Sequence, residues 1–213
     1  MNRGLLGAAL AAVTVVAVGC KDTTGIAPPT AGSLAFSYTG AQSGSYSASG
    51  LLTRHNDTSF VKQSFAAGLT LSNGGKAYVG LLSYAPVATA TGDEVVLIFP
   101  SVGAGQTLTF TETCTATTPN CSLGLIAFDA NPDLVNDGSD TFFFTAGTIQ
   151  VTSVSNGRIT GTFSGTAADS LGTRTITVTG GTFDVPLRSQ STYPSGNRAV
   201  PTTPFQRLLI RKN

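Results

Sequence analysis

From residue 33 onward the chain alternates apolar and polar positions with period two, and the i, i+3, i+4 spacing of an amphipathic helix is almost missing. Strands are therefore expected throughout. The alternation predicts them over Ser33 to Tyr38, Ser43 to Ser49, Ser64 to Leu71, Ala77 to Tyr84, Glu94 to Phe99, Gln106 to Thr113, Leu123 to Phe128, Thr141 to Thr145, Thr148 to Val154, Arg158 to Ala168 and Arg174 to Val185. Asn73-Gly74-Gly75 and Asn156-Gly157 stand between neighbouring strands, and Asn-Gly favours the hairpin turn that needs positive φ at both central residues.

The last three strands carry the clearest pattern. Ile159, Gly161, Phe163, Gly165 and Ala167 alternate with Arg158, Thr160, Thr162, Ser164 and Thr166, so one face reads apolar and the other threonine-rich. Ile176 and Val178 are even-numbered, whereas Phe183 and Val185 are odd. The phase slips at Gly180-Gly181, and a β-bulge there would let both apolar sets face the core, the alternative being a turn that breaks the strand and leaves Phe183 on a separate short edge. The fold class expected is all-β, a single antiparallel sandwich or flattened barrel of about ten strands.

The N-terminus departs from this pattern. Arg3 precedes an uncharged run from Gly4 to Val18 that ends in Ala17-Val18-Gly19-Cys20. The run is short of the roughly 20 apolar residues a spanning helix needs, and it resembles the lipobox class of bacterial lipoprotein signals. That resemblance implies cleavage before Cys20, acylation of Cys20 and anchoring by its acyl chains. Lys21 follows where an aspartate would signal retention in the inner membrane, so the resemblance implies the outer membrane. An ordinary secretory signal ending near a cysteine is the alternative. The expected organisation is a signal peptide over 1–19, a lipidated cysteine and flexible tether over 20–31, and a β domain over 32–213.

Composition agrees with a turn-rich sheet protein. Charged residues make up 11% of the chain, it has 25 glycines and it lacks tryptophan. A formal net charge of +1, without a basic cluster interleaved with aromatics, argues against a nucleic-acid partner. Thr148 to Pro186, together with Ala35-Phe36-Ser37-Tyr38-Thr39-Gly40 and Gly44-Ser45-Tyr46-Ser47-Ala48-Ser49-Gly50, resembles a group of small secreted bacterial lipoproteins of unknown function. The resemblance implies no catalytic residue.

Candidate chemistry is sparse. Cys114 and Cys121 flank Thr-Ala-Thr-Thr-Pro-Asn, and an exported protein would close them as a disulfide. With no neighbouring histidine, a zinc site lacks ligands. Asp129, Asn131, Asp133, Asp137 and Asp140 space oxygen ligands in a way similar to the calcium loops of EF-hand and dockerin-like modules. Leu134 occupies the place of the sharp-turn glycine, however, and Pro132 stiffens the loop. A solvated loop rich in turn-forming Asp and Asn is the other reading.

His55 is the single histidine and no Gly-x-Ser-x-Gly elbow is present, which leaves nucleophilic hydrolysis little support. Asp93 and Glu94 are adjacent on a strand and point to opposite faces. Phe205 to Lys212 is apolar and basic, read as a final edge strand or a contact with anionic lipid headgroups. The expected function is a lipid-anchored envelope module, non-enzymatic, with an envelope protein or a glycan as partner. The alternatives are a calycin-like carrier of a small apolar ligand, which needs an internal cavity, and a weak hydrolase, which needs a perturbed carboxylate in a cleft.

Overall fold

The protein is described here by a computed structural model over residues 31–51, 63–73, 76–88, 91–112, 121–130 and 140–189. Ten strands form in chain order: β1 (Gly32–Gly40), β2 (Gly44–Gly50), β3 (Phe65–Asn73), β4 (Lys76–Pro86), β5 (Gly92–Pro100), β6 (Thr107–Phe110), β7 (Cys121–Ala130), β8 (Asp140–Ser155), β9 (Arg158–Asp169) and β10 (Thr175–Ser189). Among the described residues the fold is all-β, as the alternation predicts.

All ten strands belong to one sheet, ordered β2-β1-β10-β3-β4-β5-β7-β6-β8-β9, and β9 pairs again with β10. The sheet thereby closes into a ring, a sandwich or flattened barrel. Two wedges interrupt it. Strand β10 pairs with β1 along Ile176–Asp184 and then, through Leu187–Ser189, runs parallel to Gly68–Thr70 of β3. Short β6 slots between β7 and β8 at Thr107–Phe110, beyond which Leu125–Phe128 pairs directly with Asp140–Phe143. That wedge has room for four residues, which is why the longer strand expected over Gln106 to Thr113 is cut short.

The interior is made by the inward members of each alternation. Phe110, Phe163 and Ile176 are buried there, together with Leu34, Phe99 and Ile149. Rings meet across it: Phe36 packs edge-on to Phe163 at 5.7 Å, and Phe99 lies 6.4 Å from Phe183. Gly161 and Gly165 alternate inward with Phe163. A Cβ at Gly161 would lie 2.4 Å from Phe183 Cζ, and one at Gly165 would lie 3.1 Å from Phe144 Cδ1. The glycines of Gly-Thr-Phe-Ser-Gly are seats for neighbouring rings.

The expected bulge is present. The β9–β10 register shifts between Val178 and Gly181, Gly180 has φ of +62°, and Ile176, Val178, Phe183 and Val185 are all buried. Asn156 and Gly157 both have positive φ, +51° and +68°, as their turn requires. The two strands expected over Thr141 to Thr145 and Thr148 to Val154 are a single strand, β8. A register shift between Phe144 and Ala146 absorbs the change of phase, so that even-numbered Phe144 and odd-numbered Ile149 both face inward. Cys20, His55, Cys114, Asn131, Asp133, Asp137 and the expected C-terminal strand lie outside the described residues.

Candidate functional site

A cluster of charged groups lies at one end of the ring, where the β1–β2 turn, the start of β5, the end of β7, the start of β8 and the β9–β10 turn come together, while the Arg158–Asp184 pair stands apart beside the β8–β9 turn. The β9–β10 turn is built by its own acid. Asp169 Oδ1 accepts from the Thr173 backbone N–H at 2.8 Å, and its Oδ2 accepts from the Thr173 hydroxyl at 3.1 Å. This is the local side-chain closure that makes Asp a turn residue. It aims Arg174 back over the rim.

Arg174 Nε donates to Asp169 Oδ2 at 3.2 Å and its Nη2 to Asp140 Oδ1 at 2.9 Å. The guanidinium also lies over the Phe142 ring, 5.3 Å from its centroid. Asp140 Oδ2 accepts from Gln42 Nε2 in the β1–β2 turn. One arginine and one aspartate thus tie three segments distant in sequence. By accepting hydrogen bonds from the guanidinium, Asp140 and then Asp169 raise the Arg174 pKa above its ordinary value. Partial burial of Asp169 would raise its pKa, but the donors from Thr173 and Arg174 outweigh that and bring it down to about 2.

A second pair of acids sits beside this latch. Asp129, with φ of +52°, ends the regular part of β7 and donates its backbone N–H to Asp93 Oδ1 at 3.1 Å. Burial holds the Asp93 carboxyl above the usual carboxylate range, the Asp129 hydrogen bond opposes that, and the Asp129 charge adds to it. Tyr38 packs on Phe128 at 4.8 Å. Its phenol is raised by burial and by the charges of Asp93 and Asp129.

Of the five residues read as a calcium loop, Asp129 and Asp140 are described, and both stand at this rim. Both carboxylate oxygens of Asp140 are in use, one by Arg174 and one by Gln42. Among the described residues no group of three or more His, Cys, Asp or Glu side chains is placed to hold a metal ion. Asp93 and Glu94 do point to opposite sides, as strand geometry dictates, with Glu94 on an apolar outer surface. Cys121 is buried at the start of β7, its Sγ 2.8 Å from Thr111 Oγ1.

Sequence reasoning passed over Asp169, Arg174 and Tyr38. The Asp-x-x-Gly-Thr-Arg turn was the available signal for the first two, since an acid followed by a positive-φ glycine, here Gly172 at +70°, closes a tight turn.

The outer side of β8, β9, β10, β1 and β2 is lined by hydroxyls. Gln150, Thr162, Thr182, Ala35 and Ser47 form one cross-strand row, and Thr166, Thr177 and Thr39 form another. Thr162, Thr177, Thr182, Thr39 and Ser47 are exposed. The arrangement offers hydrogen bonds over a broad surface, while the acids at the rim are engaged with one another's neighbours. No family model, no curated protein and no solved structure matches this chain.

Proposed function

We propose that the protein is a non-enzymatic module of the cell envelope, held at the outer membrane by acyl chains on Cys20, with its hydroxyl-lined outer face as the surface that meets an envelope protein or a glycan. The exposed rows over five strands carry this reading, because a sheet face rich in Thr and Ser presents donors and acceptors without a cleft. The aromatic contacts across the interior favour it over a carrier, whose ring would enclose ligand rather than meeting side chains. Calcium forms no part of the reading, since the Arg174 and Gln42 contacts occupy Asp140.

Export also entails a disulfide between Cys114 and Cys121 in an oxidising compartment. Its support is that buried Cys121 sits at the strand start, seven positions after Cys114, the one other cysteine besides Cys20. Growth with an alkyne-tagged fatty acid tests the anchor. The native chain should take up the label and sediment with the outer membrane, and Cys20→Ser should do neither. Unlabelled native protein would remove the proposed address. For the face, Thr162→Arg in the full lipidated chain should weaken co-sedimentation with isolated envelope fragments stripped of lipid, whereas equal recovery would count against that surface.

A further inference from the structure

An arginine fixes the place where the chain enters the ring. Arg158, at the start of β9, donates from Nη2 to the Ala31 carbonyl at 3.1 Å and to the Asp184 carbonyl at 3.1 Å, while its Nε donates to Asp184 Oδ1 at 2.8 Å. Beside it the Leu187 N–H donates to the Gly157 carbonyl at 2.7 Å, which ties the β8–β9 turn to the last part of β10. Strands β10 and β3 run parallel over Leu187–Ser189, so the β3–β4 turn with exposed Lys76 lies toward this end as well.

The two ends of the ring differ in charge. Lys76, Arg158 and Arg188 stand with Asp184 at the end where the chain enters, a formal +2. Asp93, Glu94, Asp129, Asp140 and Asp169 stand with Arg174 at the other end, a formal −4. Glu112, just past β6, is the one other charged group among the described residues and lies between the ends.

We infer that the end of the ring bearing Lys76, Arg158 and Arg188 rests on the anionic headgroups of a bilayer while the acidic end points away, an orientation that depends on the anchoring proposed above for Cys20. Cys20 lies eleven positions before Ala31, and a flexible chain of that length spans about 18 Å on average and ~40 Å fully drawn out. The fifteen residues of β10 run roughly 50 Å, or about 35 Å along the axis of a ring whose strands tilt by near 45°. The attached end therefore stays nearest the surface. Inverting the domain would draw the tether toward its limit and bring five carboxylates to a negative surface. The basic end meets that surface instead, within the roughly 8 Å over which its charge is felt at physiological salt. Arg158 acts here as a positioning residue, since it sets which end the tether leaves from. The hydroxyl-lined face then stands on edge to the bilayer, reachable from the side.

Tryptophan quenching tests this, because the chain has no tryptophan of its own. Ser155→Trp at the end of β8 and Leu171→Trp in the β9–β10 turn each place one probe at an exposed position, on opposite ends of the ring. The acylated full chain is added to vesicles of phosphatidylethanolamine and phosphatidylglycerol that include a lipid with a nitroxide on its headgroup. Ser155→Trp should be quenched several-fold more than Leu171→Trp, and equal quenching or the reverse order overturns the orientation. Adding Lys76→Glu to Ser155→Trp takes the formal charge of that end from +2 to 0 and should reduce its quenching. Unchanged quenching overturns the headgroup contact. A chain that does not float with the vesicles removes the anchor, and the orientation with it, which is distinct from an anchored chain whose two probes behave alike.

Discussion

Phe110 of β6 and Phe144 of β8 stack with ring centroids 4.2 Å apart and planes 17° from parallel, over a floor that Gly124 of β7 leaves open. A Cβ at Gly124 would sit 2.5 Å from Phe144 Cδ2, 3.0 Å from Phe110 Cε1 and 3.1 Å from Leu97 Cδ2. Both rings are fully buried, so neither swings aside freely. Gly124→Ala should destabilise by about 1–3 kcal/mol through overpacking, lowering the melting temperature by several degrees. Thermal unfolding followed by circular dichroism checks it, and an unchanged midpoint would mean that the wedge is softer than its contacts.

Gly180 occupies the bulge with φ of +62° and nothing within 4 Å of an added Cβ. Space is therefore no obstacle there, and backbone conformation is the sole obstacle. Gly180→Val should cost about 1–2 kcal/mol, the penalty of a left-handed conformation for a side-chain-bearing residue. Gly157→Val, at φ of +68° and equally open, serves as the matched comparison and should cost a similar amount. Equal stability of Gly180→Val and the unaltered protein in urea titration would contradict the assignment of strain to the bulge.

These two glycines also mark what was legible in the chain. The phase slip at Gly180-Gly181 and the Asn156-Gly157 turn could be read because each is a local signal, carried by period and by turn chemistry. The continuity of β8 could not, since its bulge at Thr145 is justified only by Phe144 and Ile149 meeting the same core. The doubly buried strands were likewise present in the sequence as the unbroken apolar run Val95-Val96-Leu97-Ile98-Phe99, but what covers their outer side is a long-range fact. At the rim, Asp129 and Asp140 were visible as a loop motif. Arg174 diverting Asp140 was not, because 34 residues and a whole hairpin separate them.

Two buried tyrosines, Tyr46 of β2 and Tyr84 of β4, should respond oppositely to loss of their hydroxyls. Tyr46 donates to Ser83 Oγ at 2.8 Å in the interior, whereas the Tyr84 hydroxyl is buried with no hydrogen-bond partner among the described residues. Tyr46→Phe strands the Ser83 hydroxyl, which is 0% exposed, and should cost about 1–2 kcal/mol. Tyr84→Phe removes an unpaired polar group and should be neutral or stabilising by up to about 1 kcal/mol. Burial, with the charges of Glu94 and Asp93, also pushes the Tyr84 pKa up to about 12. Spectrophotometric titration of the folded protein should therefore show a late phenol that Tyr84→Phe deletes. Its loss from the ordinary range near 10 would contradict the assignment.

Asp93 runs against the usual sense for a carboxylate. Its folded pKa is raised by burial, so the neutral form suits the folded state, and the stability linked to that proton is present at low pH and lost as pH rises through the folded value. Asp93→Asn keeps the Oδ1 acceptor for the Asp129 N–H without the charge. The variant should equal or exceed the unaltered protein in stability at pH 7, and the difference should close below about pH 4, where the aspartate is protonated in both states. A variant less stable at pH 7 than at pH 3, relative to the unaltered protein, would show that the carboxylate is needed in its charged form.

Asp169 has the opposite sign. Its folded pKa of about 2 lies below the ordinary value of 3.8, so its contribution is fully present above pH 4 and is lost as pH falls from there toward 2. The donors responsible are the Thr173 and Arg174 backbone and side chains, and Arg174 also holds Asp140. Asp169→Asn should unfold at lower urea concentration than the unaltered protein at pH 7, with the gap narrowing through pH 3 and nearly closed at pH 2. Asp140→Asn should weaken the same latch from its other side, yet leave Asp169 with the two Thr173 bonds. Its pH-dependent loss should then be the smaller of the two. Parallel urea titrations at pH 7, 4, 3 and 2 measure both, and a gap for Asp169→Asn that stays constant across that range would place the stabilisation in something other than its charge.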